Sequence, residues 1–93
     1  MEIIKVSTTS VPKSVAGAIS ARLRDFGEVE VQAVGAKAVN QAIKAIIVTR
    51  TYSEKDDMDL FVQPSFTAVD SVDAGIIGIK FYIKQVSLEE TED

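Results

Sequence analysis

The chain lacks the residues on which most enzyme chemistry depends. Its 93 residues contain no cysteine and no histidine. Their absence removes the commonest general base, the commonest metal ligands and the thiol nucleophile, and it excludes a disulfide framework. Neither a Walker pattern nor a dinucleotide-binding glycine pattern occurs, and Gly75 and Gly78 match a GxxG only by letters. We therefore expect a protein that binds rather than catalyses, with no cofactor.

Three neighbouring carboxylates could nevertheless supply oxygen ligands to a metal ion. Asp56, Asp57 and Asp59 lie close together in sequence, and carboxylates suit Mg²⁺ or Ca²⁺. Their spacing lacks the glycine-hinged order of a calcium loop. We interpret them as part of a solvated charged loop and predict no metal site.

Long hydrophobic runs are also absent. No apolar stretch approaches the ~18 residues that cross a bilayer, and the N-terminal residues show no signal-peptide pattern. The composition, 46% hydrophobic and 26% charged, is that of a globular protein. We expect one domain over residues 1–88, without membrane association, in the cytoplasm.

The formal net charge is −4, which disfavours nucleic acid as a partner. Four of the acids, however, fall in the last five residues, and we predict that 89–93 is a disordered acidic tail. Residues 1–88 then hold ten acids and ten bases. Binding an anion would require these charges to be segregated within the domain.

Hydrophobic periodicity predicts the order β-α-β-α-β-β. The predicted strands are Glu2–Ser7, Glu28–Val34, Met58–Val69 and Ile76–Val86, and the helices are Val11–Phe26 and Ala36–Thr51. Glu54–Asp59 is predicted to be a charged loop and Asp70–Gly75 a turn. Alternating strands indicate a sheet with one covered face, and right-handed crossovers place both helices on it. The fold class is α/β, a two-layer sandwich with a four-stranded mixed sheet.

Individual residues refine this prediction. We expect Ser10 to cap the first helix, Gly27 to end it, and Pro64 to lie on an edge strand or at a bulge. The residues expected to face the core from the two helices are Val15, Ala18, Ile19, Leu23 and Phe26, and Val39, Ala42, Ile43, Ile46 and Ile47. Val48 interrupts the polar face of the second helix, which suggests burial on a second side, most simply in a dimer.

The two helix N-termini should meet at one edge of the sheet and form an anion-binding site. Lys13 and Ser14 lie in the first turn of one helix, and the polar face of the other carries no carboxylate. The residues predicted for this edge are Ser10, Lys13, Ser14, Gly35, Lys37, Asn40, Gln41 and Lys44, with Thr51 further along the same face. The alternative is an ordinary solvated helix face.

Two other features have structural and functional interpretations. Lys80, Tyr82 and Lys84 alternate as in sheets that stack bases, but Glu28 and Glu30 face the same side, so cross-strand ion pairs account for these charges without a ligand. Gly17 costs the first helix ~1 kcal/mol relative to alanine. We expect it to allow the close approach of another helix or of a ligand.

The segment from Lys5 to Arg50 resembles the stage V sporulation protein S family, and the resemblance covers nearly the whole chain, from Met1 to about Val86. The most specific parts are Ser14-Val15-Ala16-Gly17-Ala18 and Gln32-Ala33-Val34-Gly35-Ala36, continued by Ala38-Val39-Asn40-Gln41-Ala42. The same region is similar, more distantly, to the archaeal chromatin protein Alba. The resemblance implies an Alba-like fold, a homodimer, and a regulatory role in sporulation and septation through nucleic acid.

Two departures from the Alba pattern narrow this expectation. Alba-like proteins have a lysine pair before the proline of the first loop, whereas here Lys13 follows Pro12. The turn between the last two predicted strands, Val69–Ala74, has two acids and no base, which disfavours its insertion into the minor groove. Our leading hypothesis is a non-enzymatic dimer that binds DNA or RNA weakly through the edge residues. Two alternatives are a protein–protein interaction module and a pocket for a small phosphorylated ligand.

Overall fold

The computed structural model describes residues 1–68 and 77–88. They form β1 (Ile3–Val6), α1 (Pro12–Phe26), β2 (Glu28–Ala33), α2 (Ala36–Glu54), β3 (Met58–Ala68) and β4 (Ile77–Ser87). The predicted order of elements is confirmed. The turn predicted at 70–75, the tail at 89–93, and residues 69 and 76 of the predicted strands lie outside the described residues.

The four strands form one mixed sheet in the order β1-β2-β4-β3. β1 is parallel to β2, whereas β4 is antiparallel to both β2 and β3. Pro64 therefore lies on an edge strand, as expected of a residue without a backbone N–H. Because β1 and β2 are parallel neighbours, the helices that follow them both begin at the same edge of the sheet.

The core lies between the helices and one face of the sheet. Alternate residues of β2 and β4 supply it, and the largest fully buried hydrophobic side chains are Ile19, Val29, Val31 and Ile83. Gly27 ends α1 in the left-handed region (φ 78°), and its N–H donates to the Leu23 carbonyl over 2.9 Å. The chain turns there, so Phe26 lies beyond the core and is 59% exposed. Its predicted burial is wrong.

The buried face of α2 differs from the predicted one. Ile43 and Ile47 are 43% and 59% exposed, so their assignment to the core is wrong. The buried residues of α2 are mainly small: Ala38, Ala42, Ala45, Ile46, Thr49 and Ser53. Thr49 can be buried because its Oγ1 donates to the Ala45 carbonyl over 2.8 Å. The buried face of α2 therefore consists mainly of small side chains together with Ile46, and Ile43 and Ile47 lie outside it.

The connection from α2 to β3 is shorter than predicted. The helix continues to Glu54 and the strand begins at Met58, so half of the expected charged loop belongs to these elements. Asp57 adopts a left-handed conformation, φ 55°, and its carbonyl accepts the N–H of Leu88 over 2.9 Å. Arg50 Nε donates to Asp59 Oδ1 over 2.9 Å. This hydrogen bond holds the pKa of Asp59 below its usual value and links α2 to β3.

Candidate functional site

The loops after β1 and β2 lie side by side and place the two helix N-termini together. A hydrogen bond between residues 31 apart in sequence ties the first loop to the second turn of α2: Gln41 Nε2 donates to the Ser10 carbonyl over 2.9 Å. Gln41 therefore positions the first loop against α2. We call the surface formed by Ser10, Lys13, Ser14, Gly35, Lys37, Asn40, Gln41 and Lys44 the binding edge.

The predicted N-cap of α1 is wrong. The capping position is occupied by Val11, whose side chain accepts no hydrogen bond. Ser10 is instead used within the preceding loop, where its Oγ accepts the N–H of Ser7 over 2.9 Å and lies 3.2 Å from Ser7 Oγ. Local side chain–backbone bonds of this kind compete with capping. The consequence is that the first N–H groups of α1 are left without a side-chain acceptor.

The N-terminus of α2 is similarly uncapped. Gly35 precedes it with φ 88° and ψ 155°, a conformation favourable to glycine, and it offers no side chain. The first intrahelical bonds run from Val15 N–H to the Val11 carbonyl and from Val39 N–H to the Gly35 carbonyl, both 3.0 Å. Donors that precede these bonds lack a helical partner. Neither helix has an acid in its first turn, so both positive helix ends are unneutralised there.

The cationic side chains of the binding edge are accessible. Lys13, Lys37 and Lys44 are exposed, as are Ser14 and Asn40. Within 1–68 and 77–88, none of these lysines forms a salt bridge: the two ion pairs found there join Arg22 to Glu2 and Arg50 to Asp59. The ammonium groups thus have no carboxylate partner in the described structure.

Two predicted residues have more restricted roles. Gln41 is half-buried, and its amide nitrogen is already bound to the Ser10 carbonyl. Thr51 is exposed, but its Oγ1 donates to the Ile47 carbonyl over 3.2 Å. Chemically, the edge offers backbone N–H donors, lysines and the Asn40 amide to an anion. Among the described residues no cluster of acids could hold a metal ion.

An apolar groove adjoins the binding edge, and sequence reasoning missed it. Its volume is about 490 Å³, and it is lined by Gly35, Ala36, Val39, Asn40, Ile43, Phe66 and Ile79. Phe66 is 77% exposed. The sequence signal was the excess of apolar residues around α2, where Ala45 is buried, Val48 half-buried and Ile47 exposed. That excess indicated a second apolar surface at the C-terminal half of α2, whereas the groove is lined by residues of its N-terminal half.

The sheet face remote from the helices has a different organisation from the predicted one. Its acids are held by hydrogen bonds: Tyr82 Oη donates to Glu28 Oε1 over 2.7 Å, and Gln32 Nε2 donates to Glu30. The first bond raises the pKa of Tyr82. The cross-strand ion pairs expected here are not formed within the described strands. Phe61 contacts Tyr82 edge to face, with ring centroids 6.4 Å apart. The Tyr82 side chain is therefore held by Glu28 and Phe61, which lie on neighbouring strands of the sheet.

The fold and the edge together define a small two-layer α/β protein with paired helix N-termini at one sheet edge. A family model described as stage V sporulation protein S matches residues 2–86. The chain belongs to that family, and membership identifies it as a sporulation-related regulatory protein. In the part of the chain that the structure describes, neither helix has both the length and the hydropathy needed to cross a bilayer.

Proposed function

We propose that this protein is a non-enzymatic regulator that binds nucleic acid as a dimer through the binding edge. The observation that carries the proposal is the hydrogen bond from Gln41 to the Ser10 carbonyl. It ties the loop before α1 to the second turn of α2. Both helices are uncapped at their N-termini, and Lys13, Lys37 and Lys44 are exposed. Backbone N–H groups and lysines are the groups that position proteins on phosphates.

Charge segregation supports the proposal in spite of the acidic composition. The first turns of both helices are free of acids, whereas Glu54, Asp56 and Asp57 lie at the opposite end of α2. Local potential, rather than net charge, decides whether a polyanion is attracted to a surface. The small number of lysines limits the affinity.

The apolar groove supports the proposed dimer. Ile43 and Phe66 line it and remain substantially exposed, and Ile47 extends the apolar surface by one turn of α2. A domain of this size gains stability from self-association, and covering this surface with a second copy would remove its apolar side chains from water. Gly35 and Asn40 belong to both the groove and the binding edge, so a dimer formed here would bring two edges close to one interface.

Fluorescence anisotropy tests the binding. Labelled duplex DNA, single-stranded DNA and duplex RNA are titrated with protein at two salt concentrations. For duplex DNA, three lysine–phosphate contacts in one engaged subunit predict a slope of about −2.7 in log K against log salt, or about 40-fold weaker binding from ~50 to ~200 mM. Saturable, salt-sensitive binding supports the proposal, and the preferred substrate identifies the class of nucleic acid. Absence of binding at low salt rejects it.

A double variant that reverses the charge of two lysines tests whether the binding edge is the nucleic-acid-binding site. Lys37→Glu with Lys44→Glu should abolish binding while leaving the fold intact by circular dichroism. The matched control reverses Lys5 and Lys55, which are exposed but lie outside the binding edge. This control carries the same change in net charge. Equal loss of binding in both double variants, or none in the first, contradicts the assignment.

A protein partner is the second candidate function, and the exposed groove is the observation that favours it. An apolar surface next to a polar one is typical of interaction sites. Ultracentrifugation of the purified chain separates the candidates. A monomer that binds no nucleic acid, but captures a defined protein through the groove, would support the interaction module instead of the nucleic-acid binder.

A further inference from the structure

β3 lies at one end of the strand order, so one of its edges has no neighbouring strand among the described residues. The strand covers Met58–Ala68, 11 residues, whereas β1 at the opposite end of the sheet has 4. No charged residue occurs between Leu60 and Ala68, and Phe61 and Phe66 are exposed. A long, uncharged and partly apolar edge strand is a template on which a strand of another chain can pair. The free edge of β3 is therefore the place where this sheet is most open to extension.

The backbone groups at this free edge belong to the even-numbered residues of β3. Successive residues of an antiparallel strand direct their N–H and C=O groups alternately toward one neighbour and toward the opposite side. Gln85 of β4 donates its N–H to the Gly27 carbonyl, on the side of β2, over 3.1 Å, and Gln85 is paired with Leu60 in the register of β3 and β4. Leu60 therefore directs its N–H away from β4. By the same alternation, Val62 and Pro64 also face the free edge.

Two of these three residues cannot donate to an added strand. Pro64 has no backbone N–H. The N–H of Leu60 already donates to Asp59 Oδ1 over 2.7 Å. Arg50 holds that carboxylate in place, because its Nε donates to the same oxygen over 2.9 Å and its Nη2 donates to Oδ2 over 3.4 Å. Val62 is then the one residue of the three with an N–H available for a ladder, and a ladder needs a donor at every second residue.

We propose that Pro64 and the Arg50–Asp59 pair close the free edge of β3 to strand addition by a second copy of this chain. The Asp59 carboxylate competes with any incoming carbonyl for the Leu60 N–H, and Pro64 removes the donor four residues further along. β1 needs no such closure, because a very short edge strand offers few groups to a partner. Contacts between copies are thereby restricted to side-chain surfaces such as the apolar groove. The inference depends neither on nucleic acid nor on the proposed dimer.

A pair of double variants that differ only in the position of a new threonine tests the closure. Asp59→Ala with Pro64→Thr frees the Leu60 N–H and restores an N–H at position 64, on the free edge. The matched control, Asp59→Ala with Gln63→Thr, loses the same ion pair and gains the same residue, but the N–H of residue 63 points toward β4. Folding of both is checked by circular dichroism, and association is measured by sedimentation velocity and thioflavin T fluorescence.

The edge-open variant should form species larger than those of the wild type, with thioflavin T fluorescence, whereas the control should sediment as the wild type does. A two-fold strand pairing uses the restored donor twice, which predicts roughly 30-fold tighter self-association than in the control. Amide hydrogen exchange at Val62 should slow in the associated species. Equal association of the two variants, or none in either, overturns the proposal. If the loss of Asp59 unfolds the chain, Pro64→Thr and Gln63→Thr alone give the same comparison.

Discussion

Phe66→Ala should weaken dimerisation strongly while leaving the folded monomer nearly as stable as the wild type. In the monomer Phe66 is 77% exposed and lines the apolar groove. Complete burial of a phenylalanine contributes about 1.5–3 kcal/mol, so covering the exposed part contributes about 1–2 kcal/mol per copy. A two-fold interface contains each residue twice. The expected loss is about 2–4 kcal/mol, or roughly 30- to 700-fold in the dimer dissociation constant.

Sedimentation equilibrium over a range of protein concentrations measures this constant. The matched control is Phe61→Ala, because Phe61 lies on the same strand, faces the opposite side of the sheet, and is 50% exposed. The control should keep the wild-type constant. If Phe66→Ala dimerises as the wild type does, or if both variants lose dimerisation equally, the groove is not the interface.

Three further predictions concern stability and ionisation. Gly17→Ala should stabilise the chain by about 1 kcal/mol in urea unfolding, because an added Cβ would meet nothing within 4 Å; destabilisation would mean that the glycine is needed. Asp57→Val should destabilise it by about 1–2 kcal/mol, since φ 55° is unfavourable for a β-branched residue, while Asp57→Gly should be tolerated; equal melting temperatures for the two would contradict this. The hydrogen bond to Glu28 raises the pKa of Tyr82, so its contribution to stability is complete below the unfolded pKa of about 10 and is lost as pH rises through the folded value. A ¹³C NMR titration of the Tyr82 ring should show this shift, and Glu28→Ala should reduce it, because only burial of the ring would then raise the pKa.

The order of elements along the chain and the covered face of the sheet could be predicted, because alternate residues of a strand point to opposite faces. Val29 and Val31 had to share one face, and they are fully buried. Short crossovers with fixed handedness then placed both helices on that face. Gly27 was likewise predictable, because a left-handed residue after a helix favours glycine.

The buried face of α2 could not be predicted in the same way. Isoleucines and alanines both occur around this helix, so hydrophobicity alone favours Ile43 and Ile47 for the core. Ala42 and Ile46 were predicted correctly, but the fold also buries Ala45 and Thr49 and leaves Ile43 and Ile47 exposed. Which face of a helix is buried depends on how the helix packs against its neighbours and not on local pattern alone. The exposed Ile43 lines the apolar groove, which explains why sequence reasoning missed it.

The composition of the binding edge was predictable, but its hydrogen bonding was not. The positions of Lys13, Lys37 and Lys44 follow from helix boundaries alone. Ser10 was predicted to cap α1, but four hydroxyl-bearing residues in a row offer several competing local bonds. The structure uses the Ser10 side chain for Ser7 and its carbonyl for Gln41. Only three-dimensional contacts distinguish these arrangements.

The parallel alignment of α1 and α2 affects how the molecule orients itself in the electric field of a charged partner. Their peptide dipoles point the same way and add rather than cancel, with the positive ends at the binding edge. Glu54, Asp56 and Asp57, at the other end of α2, lengthen the separation of charge. A chain with little net attraction to a polyanion therefore experiences a torque as it approaches one. If the binding edge contacts nucleic acid as proposed, this torque would turn the edge toward the polyanion before contact, so that encounters would begin in the binding orientation.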